Sequence, residues 1–326
     1  MAPAQPTLGF RRLRALTILA VVVALLIALV HVLRQPDTAS PATGPAVTSS
    51  TTPAGAPTST PVPTPVATPT PAPTPAPTGT PSQDQSTPPP RAEVIDDVVR
   101  DWHTDQSGHL AVAVVDLETG ATASYGDVGH KFSTASIVKV DILATLLLQE
   151  QGHLSGTQRA VAARMIRQSS NADATTLWRQ IGSERGLAAA NERFGLTSTK
   201  GGTQGTWGLT TTTTADQLRL LQVVFTDDSP LTPDARTYLQ SLMGSVEADQ
   251  DWGVSAADSR GDTHAYVKNG WLPRTGGWIV NSVGKVEHEG HPVLVAALSD
   301  GGATMDRGIA VVERVSSASA DAAARS

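Results

Sequence analysis

The segment from Pro36 to Pro90 divides the chain into a part that cannot form a hydrophobic core and a part that can. It is made mainly of proline, threonine, alanine and serine, as in TPVPTPVATPTPAPTPAPTGTP. Such a composition buries too little apolar surface to fold, and its prolines favour an extended polyproline II conformation. We therefore predict a disordered linker over residues 35–91 and place any globular domain after it.

An apolar run, ALTILAVVVALLIALVHVL, precedes this linker at residues 15–33. As a helix it would be about 28 Å long, enough to cross the hydrocarbon core of a bilayer. Arginines precede the run, so the positive-inside rule places residues 1–14 in the cytoplasm and the C-terminal part outside. We predict a single-pass anchor at residues 15–34 in the cell membrane. The alternative is a cleaved signal peptide, which would make the protein secreted.

Composition excludes several kinds of site and partner. The sequence has no cysteine, which excludes disulfides, thiolate metal sites and a lipid attached to cysteine. The net charge of −6, without a long run of like charges, gives no electrostatic footprint for nucleic acid. The histidines form no pair spaced as in H-E-x-x-H, and no glycine-rich phosphate loop follows a predicted strand. We expect no metal, no cofactor, no nucleic-acid partner and a monomer.

The order of predicted elements indicates an α+β fold. A helix near residues 92–105 is followed by a β-hairpin, HLAVAVVDLETGATASYGD, and by an apolar helix that ends at Gly152. A block of helices, three further strands and a last helix near 303–317 complete the chain. We predict a five-stranded antiparallel sheet flanked by helices, with an all-α subdomain inserted between its second and third strands. The domain would cover residues 92–318, with a disordered tail at 319–326.

The stretch FSTASIVKVD places Ser136 and Lys139 three positions apart, on one face of a single helical turn. A serine hydroxyl is a poor nucleophile without an adjacent base, and a neutral lysine can serve as one. Taken alone, the spacing is more typical of a helix N-terminus, where serine is a favoured cap. Other motifs have to decide between these interpretations.

Two further motifs follow downstream, Ser169-Ser170-Asn171 and then Lys268-Asn269-Gly270. The order S-x-x-K, S-x-N, K-x-G resembles that of penicillin-recognising serine hydrolases, above all the class A β-lactamases. The surrounding stretches, FSTASIVKVDIL, MIRQSSNADATTLW and VKNGWLPRTGGWIVNSVGKV, also resemble segments of that family. The resemblance covers nearly all of the predicted domain and implies a β-lactamase/transpeptidase-like fold.

The resemblance implies a catalytic group of three residues. Ser136 would be the nucleophile, Lys139 its base, and Ser169 would carry the proton to the leaving nitrogen. A second cation, Lys268, would help to keep Lys139 neutral. The non-catalytic alternatives are a helix cap for Ser169 and a solvated strand position for Lys268.

The remaining motif residues would bind the substrate. By resemblance, Asn171 would hold the substrate amide and the lysine, and Lys268 would attract the substrate carboxylate. The N–H groups of Ser136 and Trp271 would form an oxyanion hole, and Gly270 would let the strand approach the substrate closely. Asn269 belongs to the same strand motif. Asn-Gly is also a strong hairpin-turn signal, although PRTGG just beyond is a better turn.

The chain departs from the family pattern at three places. Ser170 stands where the family has Asp, and Asn269 where it has Thr or Ser. The loop RFGLTSTKGGTQGTWGLTTTTT contains no acid, whereas class A β-lactamases carry there a Glu that activates the deacylating water. We therefore expect a serine hydrolase that is acylated by β-lactams or D-Ala-D-Ala-type cell-wall peptides but turns over weakly. The alternative is a non-hydrolytic module that binds peptidoglycan stem peptides or β-lactams and keeps the fold.

Overall fold

The computed structural model describes residues 90–106, 108–261 and 265–324. The predicted cytoplasmic segment, the membrane anchor and all but the last two residues of the predicted linker lie outside these ranges. Within them, no helix is both long and apolar enough to cross a membrane.

Eight α-helices and seven strands occur in the described ranges. The helices are α1 (Pro90–Gln106), α2 (Val138–Gln149), α3 (Gly156–Arg167), α4 (Asn171–Gln180), α5 (Ser183–Phe194), α6 (Thr214–Phe225), α7 (Pro233–Met243) and α8 (Met305–Ala323). The strands are β1 (Leu110–Asp116), β2 (Thr122–Gly126), β3 (Phe132–Ser133), β4 (Thr211–Thr212), β5 (Tyr266–Arg274), β6 (Gly277–His288) and β7 (His291–Gly302). Short 3-10 turns include η1 (Ala135–Ile137) and η2 (Trp207–Leu209).

The main sheet confirms the predicted fold class. Its five antiparallel strands have the order β2-β1-β7-β6-β5, so the hairpin before the helical block pairs with the strands after it. The pairing of β1 with β7 therefore brings the two ends of the domain together. Helices α2 to α7 form the predicted insertion between β2 and β5.

Alternate residues of β1 enter two different cores. Ala111 and Val115 pack with the helical block, whereas Val112 and Val114 pack with α1 and α8. This division follows from the two-residue period of a strand, and it explains why every residue of β1 is buried. The sheet is consequently the middle layer of the domain.

The β5–β6 hairpin turns just after Arg274, as the PRTGG sequence predicts. Asn269 and Gly270 lie inside β5, opposite Ser282 and Asn281 of β6. The structure thus excludes the alternative in which Asn269-Gly270 forms a hairpin turn.

The C-terminal boundary differs from the predicted one. The expected disordered tail at 319–326 is wrong for residues 319–323, which continue helix α8. Ser319 and Ala320 are fully buried there, and the carboxylate of Asp321 lies 2.8 Å from Nε2 of His288. In the sequence, the serine and alanine residues of this segment are typical of a polar tail. In the structure, their small side chains allow α8 to pack closely on its neighbours.

We expect that ending the chain after Ala318 lowers the free energy of unfolding by about 2–4 kcal/mol, because buried alanine and serine side chains and their last helical turn are lost. Urea denaturation measures the difference. Ending the chain after Ala324 is the matched control and should leave stability unchanged. Equal stability of the two shortened chains would contradict the packing described for α8.

Candidate active site

Ser136 lies inside the turn η1, directly before helix α2. The N-cap of α2 is Ile137, which makes no side-chain capping bond, so Ser136 is not the cap of that helix. Asn281 of β6 holds the turn by donating hydrogen bonds to the carbonyls of Ser133 and Thr134, at 2.9 and 3.2 Å. The half-buried Ser136 is therefore fixed by the sheet behind it.

Gly270 lets β5 pass against the backbone of η1. A Cβ at this position would lie 2.6 Å from the carbonyl oxygen of Thr134 and 2.7 Å from the nitrogen of Ser136. Any other residue would push β5 away from the turn. From the sequence, we expect Gly270 to let the strand approach a substrate. The structure shows a second reason for glycine, which is the contact of β5 with the backbone of η1.

Lys139 connects three of the predicted site residues. Its Nζ lies 2.8 Å from Ser136 Oγ, 3.0 Å from Ser169 Oγ and 2.8 Å from Asn171 Oδ1. The carbonyl oxygen of Ser169 is a fourth neighbour, at 2.6 Å. Lys139 is fully buried, so its amine is surrounded by these protein groups.

Ser169 stands at the junction of α3 and α4 in the left-handed region, with φ of 55°. Such a conformation is strained for a residue other than glycine. It allows both the hydroxyl and the carbonyl of Ser169 to contact Lys139. Its neighbour Ser170 is the N-cap of α4 and accepts a hydrogen bond from the nitrogen of Asp173. Ser170 thus fills the capping position, a role that aspartate also performs well.

Lys268 approaches the same serine from β5. Its Nζ donates to Ser169 Oγ at 3.0 Å and to the carbonyl of Asn269 at 3.0 Å. Lys268 is 1% exposed, so it is not a solvated strand residue. The hydroxyl of Ser169 consequently lies between two buried amines, and a continuous hydrogen-bonded path runs from Ser136 through Lys139 and Ser169 to Lys268.

Burial lowers the pKa of both lysines and so favours their uncharged forms. Burial, reinforced by the nearby charge of Lys268, holds the pKa of Lys139 well below its usual range. Burial also lowers the pKa of Lys268 to about 7. The neighbours of Lys139 fit an uncharged amine, because its two N–H bonds can point at two obligatory acceptors, the carbonyl of Ser169 and Oδ1 of Asn171. The nitrogen lone pair is then available for the hydroxyl proton of Ser136.

The ring of Trp207 lies over this amine, 5.0 Å from Nζ of Lys139 to the ring centroid. Its Nε1 donates to Oγ1 of Thr175 in α4, at 3.1 Å, which fixes the indole in place. Trp207 belongs to the loop in which the sequence lacks an acid. Among the described residues, no carboxylate forms a hydrogen bond with Ser136, Lys139 or Ser169. The indole has no basic atom with which to activate a water.

The side chain of Asn269 does not join the cluster formed by Ser136, Lys139, Ser169, Asn171 and Lys268. It is fully buried, and its Nδ2 donates to the carbonyls of Gln250 and Trp252, at 2.7 and 3.0 Å. The amide nitrogen of this side chain therefore holds the segment that precedes β5. Trp271 follows in β5, half-buried, with its ring 5.8 Å from that of Trp252.

The sequence model of the beta-lactamase enzyme family matches residues 151–323, just over half of the chain. The chain belongs to this family. The match includes the second motif, whose Ser169 and Asn171 contact Lys139. It also includes the third motif, whose Lys268 contacts Ser169.

Solved structures of low sequence identity share the fold. A beta-lactamase from Streptosporangium roseum superposes with a TM-score of 0.60 at 19% identity, over 72% of this chain and all of that one. A class A beta-lactamase from Bacteroides cellulosilyticus gives 0.61 at 16% identity, over 72% of this chain and 99% of that one. A mutant of PBP-A, in an acyl-enzyme complex with penicillin G, gives 0.60 at 18% identity, over 72% and 97%.

A curated relative of similar sequence is the mycobacterial "Putative lipoprotein LppW", from Mycobacterium tuberculosis and Mycobacterium bovis. It is 28% identical over 196 residues, which are 57% of this chain. The match spans 62% of the length of that relative.

We expect that Lys268→Met raises the free energy of unfolding at pH 6 by about 1–3 kcal/mol, because it removes a cation that folding takes out of water. A lysine whose folded-state pKa is about 7 binds fewer protons in the folded than in the unfolded state between that pH and its usual range. The gain should therefore be full below pH about 7 and shrink as the pH rises towards about 10.4. Urea denaturation across this range measures it.

The control for this prediction is Lys131→Met, which removes an exposed lysine close to β3. It should change stability by less than about 0.5 kcal/mol at every pH. A gain for Lys268→Met that does not depend on pH would show that packing of the methionine, and not the lost charge, is responsible.

Proposed function

We propose that the domain is a serine hydrolase of the β-lactamase and penicillin-binding type, which forms an acyl-enzyme on Ser136. Its substrates would be β-lactams or D-Ala-D-Ala-type cell-wall peptides. The observation that carries the proposal is the contact of 2.8 Å between Ser136 Oγ and the buried amine of Lys139. Family membership and the shared fold support it.

Acylation would use the hydrogen-bonded path through the cluster. Lys139 takes the hydroxyl proton of Ser136 as Oγ attacks the carbonyl carbon, since its lowered pKa leaves the amine uncharged. Backbone N–H groups of Ser136 and Trp271 would stabilise the oxyanion. The proton then passes from Lys139 through Ser169 Oγ to the leaving nitrogen as the C–N bond breaks, and the acyl group stays on Ser136.

Substrate binding would use the two polar groups beside this path. Asn171 would orient the substrate amide, and Lys268 would attract a carboxylate. A carboxylate near Lys268 would favour its charged form, and that positive charge would in turn keep Lys139 neutral. The side chain of Asn269 takes no part, because its amide hydrogens already bind backbone carbonyls.

Deacylation would be slow. Hydrolysis of an acyl-enzyme needs a base that activates water next to the ester. The loop that leads to β4 contains no acid, and an indole lies over Lys139. Lys139 itself would then have to act as the base, so the protein would behave as a penicillin-binding enzyme with weak β-lactamase or carboxypeptidase turnover.

We further propose an extracytoplasmic location for the domain. The apolar run at 15–33 would anchor it in the cell membrane, or direct secretion if cleaved, and the segment at 35–91 would act as a stalk. The name of the mycobacterial relative, a lipoprotein, supports a membrane-associated protein. This chain has no cysteine to carry a lipid, so the apolar run itself would be the anchor.

Incubation with a fluorescent penicillin should label the full-length protein, and Ser136→Ala should abolish the label. Lys139→Met should slow labelling by about 10³-fold or more, because a general base of this kind contributes roughly 10²–10⁴-fold. Labelling rates are read from gels and adducts from intact mass. Ser133→Ala, in the adjacent strand β3, is the matched control and should label like the native protein. Labelling of Ser136→Ala at the native rate would refute the proposal.

The lifetime of the adduct tests the second part of the proposal. After removal of free penicillin, the acyl-enzyme mass should persist far longer than the labelling reaction takes, because no carboxylate among the described residues is hydrogen-bonded to Ser136, Lys139 or Ser169. Rapid return to the unmodified mass would show efficient turnover and contradict slow deacylation. Saturable penicillin binding without any adduct would instead identify a non-hydrolytic binding module.

A further inference from the structure

Trp207 in η2 lies over the amine of Lys139, the group that takes up the proton in the proposed acylation. The centre of its ring is 5.0 Å from Nζ. The face of an indole carries negative partial charge and attracts a cation within about 6 Å of the ring centre. An uncharged amine gains much less from this face than an ammonium does. The indole therefore distinguishes between the two protonation states of Lys139.

The position of this ring is fixed by contacts of its own loop. Nε1 of Trp207 donates a hydrogen bond to Oγ1 of Thr175 in α4, at 3.1 Å. The loop is also tied to the segment directly before η1, because the N–H of Thr134 donates to the carbonyl of Thr210 at 2.8 Å. The half-buried indole is thus in place over Lys139 in the free protein, so no rearrangement is needed when charge develops on the amine.

Acylation would turn Lys139 into an ammonium. As the O–H bond of Ser136 breaks, a third N–H bond forms on Nζ and the positive charge appears there, while negative charge moves to the carbonyl oxygen of the substrate. The carbonyl of Ser169 and Oδ1 of Asn171 accept hydrogen bonds from Nζ, but no carboxylate among the described residues does. The indole face adds an attraction that grows as the proton arrives, and only such a growing attraction accelerates a reaction.

The charged groups around the amine do not supply this attraction. Lys268 on β5 acts in the opposite direction, because its charge lowers the pKa of Lys139. Asp141, two residues further along α2, binds Asn191 of α5 through Oδ2, at 3.1 Å. Asp173 of α4 is paired with an arginine of α3. The loop that carries the indole contains no acid.

We propose that Trp207 promotes acylation by stabilising the ammonium form of Lys139 through the face of its indole ring. The inference rests on the proposed acyl-enzyme on Ser136. Trp207 acts through Lys139 and forms no bond with the reacting carbonyl. Loss of the ring should therefore slow proton transfer and, at the same time, favour the uncharged form of Lys139 in the free protein.

Labelling of the full-length protein by a fluorescent penicillin tests the effect on rate. Trp207→Leu and Trp207→Phe both lose the hydrogen bond to Thr175, but only phenylalanine keeps an aromatic face. At the pH where labelling is fastest, Trp207→Leu should label about 5- to 30-fold more slowly than the native protein, and Trp207→Phe should recover most of this loss. Trp278→Leu, which removes a half-buried tryptophan from β6, is the matched control and should label at the native rate. Equal rates for the two Trp207 variants would overturn the proposal.

A second measurement needs no substrate. In full-length protein labelled with ¹³C at lysine Cε, the resonance of Lys139 is identified by its loss in Lys139→Met, and its pH titration gives the pKa of the amine. This pKa should be lower by about one pH unit in Trp207→Leu than in the native protein, because the indole favours the ammonium. If the indole merely excluded water, its loss would hydrate Lys139 and raise the pKa instead.

The two measurements separate this inference from the proposed function. An unchanged or raised pKa of Lys139 in Trp207→Leu would refute the role of Trp207, even when the native protein is labelled on Ser136. Failure of the native protein to be labelled would refute the acyl-enzyme itself, and the role of Trp207 in acylation with it.

Discussion

Lys139 is buried with no carboxylate partner among the described residues, and the rest of this structure depends on that constraint. An ammonium group in this position would lack water and an opposing charge, so the fold favours the uncharged amine. Residues 138–147 of helix α2 are all buried, and Lys139 itself is fully buried among them. Ser136, Ser169 and Asn171 supply the hydrogen bonds that make this burial tolerable.

These partners come from both halves of the domain. Ser136 belongs to the turn held by β6, whereas Ser169 and Asn171 lie at the α3–α4 junction in the helical block. Lys268 arrives on β5, and Gly270 keeps that strand against the turn. The cluster therefore exists only when sheet and helical block are both folded and packed together.

Patterns within short segments allowed the fold to be predicted from the sequence. The two-residue and 3.6-residue periods identified the strands and helices, and PRTGG located the β5–β6 turn. The spacing of Ser136 and Lys139 is local as well, which is why their contact was predicted correctly.

Features that depend on distant segments were not predictable in this way. The direction of the Asn269 side chain depends on where residues 250–252 run, and the strand pattern contains no information about that. The last turns of α8 could not be predicted, because their small residues are stabilised by packing on a surface that forms only in the folded domain.

The likeness in fold to β-lactamases extends over nearly the whole of those proteins at 16–19% identity. A fold shared at this level positions backbone and helices, but it leaves the fate of an acyl group to a few side chains. In this chain the group that covers Lys139 is the indole of Trp207. If the proposed function holds, the fate of the acyl group depends on this one loop rather than on the architecture.

The pairing of β1 with β7 also governs the order in which the domain can be built during synthesis. Residues 110–116 are made early, but the edge of β1 that pairs with β7 stays open until residues 293–299 appear, and α8 covers the second core only after that. Long-range pairing of this kind forms slowly, and until β7 has been made, β1 is an apolar strand with one unpaired edge. A ribosome that stops early would therefore release a chain with an open central layer, a form that proteases and chaperones recognise.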